Sequence, residues 1–156
     1  MDKSIFEDLD LKSELLCEAA IYVEPSSPGP IGPTPWANRL VAYISEGEFE
    51  GPRMKGKVLP GGGDWLIIDP DRPNASKPDV RAVWETHDGA KLYLAYTGRI
   101  IQPADPATAK PSEYYFRVAP TFETSDPRYS WLNDVQAIGV GRLLGNGVAY
   151  RIYHIL

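Results

Sequence analysis

The tightest constraint on this chain comes from two turn dipeptides, each set between two long β-type segments. Asp88-Gly89 separates Asp79–Thr86 from Lys91–Ile101, and Asn146-Gly147 separates Val135–Leu144 from Val148–Leu156. Both dipeptides tolerate the positive φ that a two-residue type I′ turn needs at its two central positions, and that turn matches the twist of an antiparallel pair. Five more segments read as strands: Leu15–Val23, Leu40–Glu50, Met54–Leu59, Trp65–Asp69 and Tyr114–Thr124. Each is rich in β-branched and aromatic residues or alternates apolar with polar ones.

Helical periodicity is nearly absent. The best candidate, Ser4–Leu16, has Ile5, Leu9 and Leu15 too loosely spaced for a helix face. Asp126-Pro127 reads as the start of a short helical turn, with Asp as N-cap and Pro at the first helical position. The proline-rich stretches Pro25–Pro35, Pro70–Pro78 and Pro103–Pro111 read as loops. The expected fold is therefore all-β: a single antiparallel β-barrel of roughly eight to ten strands with little helix. One domain spans residues 1–156, with 1–13 as an N-terminal extension, and 156 residues suffice for one sizeable core.

The formal net charge of -5 argues against a nucleic-acid surface. Cys17 is the only cysteine, which excludes an intramolecular disulfide and a cysteine-rich zinc site. The acidic first residues lack the basic and apolar regions of a signal peptide, and no apolar run approaches the ~20 residues that span a bilayer. The expectation is a cytoplasmic protein that needs neither nucleic acid nor membrane.

If Asp88-Gly89 is the loop, His87 pairs with Ala90, and Asp79, Arg81, Val83, Leu92, Leu94 and Tyr96 share one face. Three apolar residues then occupy the middle of the face, and Asp79, Arg81 and Tyr96 cluster at one end. That pattern suits a barrel interior with a polar mouth. The other face, with Trp84, Tyr93 and Thr86, reads as a solvated wall or a contact with a second copy. Around Asn146-Gly147 the same counting puts Tyr150, Ile152 and His154 opposite Leu143, Gly141 and Gly139. Glycine there leaves room for a ring or for a ligand.

These placements define the candidate chemistry. Asp79 in an apolar mouth would have a raised pKa and serve as an acid or base, and Arg81 with Tyr96 would hold an oxyanion. The competing reading of Asp79 and Arg81 is a structural ion pair. Trp65, Phe122, Tyr129 and Trp131 fall near strand ends and would line a pocket, or simply pack the barrel ends. Arg117 is a second candidate anion ligand. His154 is a candidate acid or base, whereas His87 flanks a turn and reads as solvated. With two histidines and no HxH or HExxH spacing, no metal site is expected. Gly61-Gly62-Gly63 lacks the ending of a phosphate loop, and no G-x-S-x-G elbow is present.

An ordered set of short stretches carries a resemblance. It comprises Gly51-Pro52-Arg53 with Gly56, Leu59 to Trp65, Asp79-x-Arg81, Thr86-x-Asp88-Gly89-Ala90, Phe122-Glu123-Thr124, Tyr129-x-Trp131-Leu132-Asn133 and Gly139-x-Gly141. With these the chain resembles domain-of-unknown-function family 3237, small bacterial and fungal β-barrel proteins, from about Glu14 to Leu156. The resemblance implies a barrel similar in shape to lipocalin-like, allene oxide cyclase and dirigent-type barrels, and no settled reaction. Together these readings lead to a small-molecule-binding barrel. The leading expectation is a cofactor-independent lyase, isomerase or cyclase for a hydrophobic aromatic or polyketide-like oxygenated compound, with a homo-oligomer as a possible assembly. The alternative is a non-catalytic carrier of a similar ligand.

Overall fold

The computed structural model describes residues 1–105 and 108–156, with the backbone alone at Pro111. Pro106 and Ala107, in the proline-rich stretch 103–111, lie outside the described residues. Eleven strands form one antiparallel sheet: β1 (Ser13–Val23), β2 (Gly29–Pro33), β3 (Asn38–Glu50), β4 (Lys55–Val58), β5 (Gly63–Ile68), β6 (Ala75–Lys77), β7 (Asp79–Thr86), β8 (Lys91–Ile101), β9 (Tyr115–Glu123), β10 (Ala137–Leu144) and β11 (Gly147–Ile155). Pairing of β1 with β3 closes the sheet into a barrel. Ten strands make the wall, and β2 pairs with β3 alone.

The expectation of a single antiparallel barrel with little helix holds. As the loose spacing of Ile5, Leu9 and Leu15 implied, Ser4–Leu16 is not a helix: a single 3₁₀ turn covers Ser4–Phe6, and β1 starts at Ser13. Two local readings change. The Pro25–Pro35 stretch contains β2, admitted at the sheet's border because Gly29 and Gly32 take positive φ and a bulge absorbs the prolines. The Pro70–Pro78 stretch contains β6, which bridges β5 and β8 above the start of β7. The short turn after Pro127 leads into a 3₁₀ helix at Ser130–Asp134.

The two ends of the barrel differ. At the lower end the core is continuous. Trp84 stacks on Phe49 (centroids 4.5 Å apart) and meets Phe122 edge-on at 6.1 Å. Leu92, Leu132, Met54 and Cys17 complete this plug. Trp84 is 0% exposed, and its indole N–H has no acceptor among the described residues. An orphaned buried donor of that kind costs about 1–3 kcal/mol, which the packing of two rings against the indole has to offset. At the upper end the inward-facing Leu66, Ile68, Leu143 and Val148 are only half-buried. The barrel is therefore a cup in outline, sealed below and less fully covered above.

Candidate functional site

Register decides which side chains enter this cup. The β7–β8 hairpin pairs Trp84 with Leu92 and Glu85 with Lys91, so its loop is the three residues His87, Asp88 and Gly89. Only Gly89 takes positive φ (90°), as in a type I turn followed by a left-handed residue. Thr86 fixes this loop. Its buried hydroxyl donates to Asp88 Oδ1 at 2.6 Å and accepts from the Ala90 N–H at 2.9 Å. Tyr129 donates to the same Asp88 oxygen at 2.9 Å.

The extra loop residue reverses the expected faces of β7. Val80, Ala82, Trp84 and Thr86 point inward, and Asp79, Arg81 and Val83 point outward. The cluster of Asp79, Arg81 and Tyr96 on one inner face is therefore not formed. Asp79 and Arg81 make a partly exposed ion pair at 3.3 Å. Tyr96 does face inward and is buried.

The other expected residues divide between the ends. Phe122 and Tyr129 belong to the lower plug. Trp131 lies under the Arg53 guanidinium, 3.7 Å from its ring centroid. The His154 imidazole stands 3.4 Å from Glu14 Oε1 on the neighbouring strand. Trp65 is half-buried on β5, and its carbonyl accepts from Arg39 Nη1 at 2.8 Å. Arg117 lies on the outer face, with its guanidinium 5.0 Å from the Tyr115 ring. These residues do not assemble into one pocket.

A different polar group does assemble inside. Asp64 pairs across to Val80, and Val80 to Tyr96, so Asp64 and Tyr96 lie on one rung of the barrel two strand spacings apart, roughly 10 Å between backbones. Tyr96 donates to the hydroxyl of Tyr150 at 3.2 Å, and their rings meet edge-on at 5.6 Å. Phe116 meets Tyr150 edge-on at 5.3 Å. Gly141 makes room for this cluster: a Cβ there would stand 2.8 Å from both the Phe116 and Tyr150 rings. The sequence left a ring and a ligand as alternatives for that space, and the Tyr150 ring fills it.

Burial sets the electrostatics. It raises the Asp64 carboxyl to about 6, with a smaller upward push from the charge of Asp79 and an opposing stabilisation from the Asp79 N–H, which donates to Asp64 Oδ1 at 2.9 Å. Burial also raises Tyr96 and Tyr150, with the charge of Asp64 contributing to both, so the phenols stay protonated and available as donors. Burial pushes the Cys17 thiol up to about 12, far from a reactive thiolate. Among the described residues, no three His, Cys, Asp or Glu side chains stand together as a metal site, and no helix is long and apolar enough to cross a membrane.

A hollow of about 890 Å³ lies elsewhere, against the outer side of β1, β3, β10 and β11. Its floor includes Ala20 and Ala149, and its charges include the paired Arg151 and Glu18. The wall of the barrel separates it from Asp64.

The profile of the protein of unknown function DUF3237 matches residues 11–155. The chain belongs to the DUF3237 family. A UPF0311 protein of Clostridium acetobutylicum is 33% identical over 124 residues, 75% of this chain and 77% of that one. Among solved structures, a β-barrel-like protein from Acinetobacter baumannii AYE superposes with a TM-score of 0.83 at 31% identity, covering 94% of this chain and 97% of the other. A structure described as an enzyme from Penicillium herquei shares the fold, with a TM-score of 0.70 at 23% identity over 94% of this chain and 95% of that one. The barrel fold is thus shared by bacterial and fungal proteins.

Asp64 and Tyr150 escaped the sequence reading as reactive groups. Asp64 sits in the Gly-Gly-Gly-Asp-Trp segment, whose strand is tied to its neighbours by no tight turn that would have fixed its register.

Proposed function

We propose that this DUF3237 barrel binds a hydrophobic, oxygenated small molecule and transforms it by acid/base chemistry without a cofactor, as a lyase, isomerase or cyclase. One observation carries the reading: a carboxyl held near pKa 6 on the inner face of the barrel, on the same rung as the phenol Tyr96, which is hydrogen-bonded to a second phenol, Tyr150. A base poised near the working pH is what proton abstraction next to a carbonyl needs. Asp64 would take that proton, and Tyr96 or Tyr150 would donate a hydrogen bond to the resulting enolate oxygen. Return of the proton to another carbon gives an isomer, and loss of a β-substituent gives an elimination product. Neither outcome requires an oxidant. In this reading Asp79 is a positioning residue, acting through its N–H on Asp64, and Arg81 is its surface partner.

The test uses wild-type protein and the Asp64→Asn variant, each incubated in deuterated buffer with a panel of aromatic and polyketide-type ketones and followed by mass spectrometry. The reading expects a compound that gains deuterium, or changes retention, with the wild type only, at a rate that rises as pH passes through about 6. Equal turnover by both proteins would refute the role of Asp64. A compound retained unchanged by both would favour the carrier.

A further inference from the structure

A cleft of about 550 Å³ lies at the upper rim, between the β2–β3 turn, the β5–β6 loop, β6 and the end of β8. Its volume falls in the range of small-molecule sites. Trp36 lines it and is 94% exposed. This indole does not hang on a slack loop. Thr34 Oγ1 accepts from the N–H groups of Trp36 (3.2 Å) and Ala37 (3.0 Å), the Thr34 N–H donates to the Ala37 carbonyl (2.8 Å), and prolines 33 and 35 fix φ on either side. The ring is presented by a stiffened turn, with no aromatic or cationic partner for its faces among the described residues.

The charges in the same cleft are unbalanced. Arg72 is satisfied by Asp69, with contacts of 2.6 and 2.9 Å. Lys77 and Arg99 have no carboxylate within ion-pair distance among the described residues, and Asp71 is the one remaining carboxylate of the lining. Arg99 also lies directly across from Arg117, on the outer face of β8 and β9. Like charges facing each other across a ladder are destabilising. Among the described residues, each guanidinium donates only to a neighbouring backbone carbonyl, of Gly98 and Phe116 respectively. An anion seated near Arg99 would relieve this repulsion and gain the charge-assisted hydrogen bonds that a guanidinium fork provides.

We infer that this rim cleft is a second ligand site, for a planar aromatic compound bearing a carboxylate. The ring stacks on Trp36, and the carboxylate is held by Arg99 with Lys77 beside it. The inference is independent of the chemistry assigned to Asp64, which faces the interior.

The test is calorimetric titration with 2-naphthoate, using the uncharged 2-naphthylmethanol as control. Wild-type protein is compared with Trp36→Ala, Arg99→Gln and Asp64→Asn. Trp36 and Arg99 are exposed, so their variants should melt like the wild type. The inference expects saturable binding of naphthoate that is at least tenfold weaker in Trp36→Ala and in Arg99→Gln, at least tenfold weaker for the alcohol, and unchanged in Asp64→Asn. It is overturned by an absence of saturable binding, or by equal affinities across wild type, Trp36→Ala and Arg99→Gln. It is overturned equally by loss of binding in Asp64→Asn alone, which would put the ligand in the barrel interior and leave the acid/base reading standing.

Discussion

The Asp64→Asn substitution should make the protein more stable at neutral pH while removing its proposed base. An aspartate in the unfolded chain titrates at its ordinary value of 3.8, and in the folded barrel it titrates at about 6. Below 3.8 the group is protonated in both states and contributes nothing. Between the two values the unfolded state has released its proton and the folded state has not, so stability falls as pH rises. Above 6 the folded state carries the full cost of a buried anion. The gap of about two pH units corresponds to about 3 kcal/mol at 1.36 kcal/mol per unit. Asparagine keeps an oxygen acceptor for the Asp79 N–H and does not titrate, so its own burial cost is the same at every pH. The comparison to make is therefore between pH 4 and pH 8, by chemical denaturation of both proteins followed by tryptophan fluorescence. The advantage of Asp64→Asn should be larger at pH 8 by roughly 2.5 kcal/mol, or by several degrees in Tm. An advantage that is the same at both pH values, or absent at pH 8, would mean that the Asp64 carboxyl is not in a low-dielectric interior, and the acid/base reading would fail with it.

Other substitutions test the surrounding structure. Tyr96→Phe and Tyr150→Phe should each cost about 1 kcal/mol by leaving one buried hydroxyl unpaired, and the double variant should cost less than the sum, as a double-mutant cycle in urea would show. Gly141→Ala should cost about 1–3 kcal/mol because its Cβ would press on the Phe116 and Tyr150 rings; a melt equal to wild type would mean that the cluster is loosely packed. Thr86→Val should cost about 1–3 kcal/mol, with faster amide exchange at Ala90, because it removes the hydroxyl that accepts from the Ala90 N–H and binds Asp88.

The barrel was legible in the sequence because its strands carry their own signals. Both hairpins and the long strands β1, β3, β7, β8 and β9 follow from alternation and from the Asp-Gly and Asn-Gly dipeptides. The strands that escaped are β2 and β6, of five and three residues, which hold too few side chains for a period to emerge and are dense in proline and glycine or border on proline. Their pairing comes from neighbours already in place, not from local preference.

The two hairpins show why a correct fold can still yield a misplaced site. In both, the turn read from the sequence differs from the one formed, but by different amounts. At β10–β11 the two-residue loop is Gly145-Asn146 and not Asn146-Gly147, so Gly141 faces Tyr150 where Ile152 was expected. That slip moves the pairing by two residues, an even number, and every side chain keeps its face. Tyr150, Ile152, Gly139 and Gly141 therefore remain together as read. At β7–β8 the loop gains one residue, an odd number, and the whole of β7 is turned over. Asp79 and Arg81 leave the interior, and Trp84 and Thr86 enter it. The device that decides between two and three residues is the Thr86 hydroxyl, which bonds Asp88 and the Ala90 N–H and so encloses His87, Asp88 and Gly89 in one loop. A buried threonine immediately before an x-Asp-Gly turn is thus a readable sign of the longer loop. Applied here, it would have turned Val80 inward, the residue that Asp64 pairs with in the folded barrel.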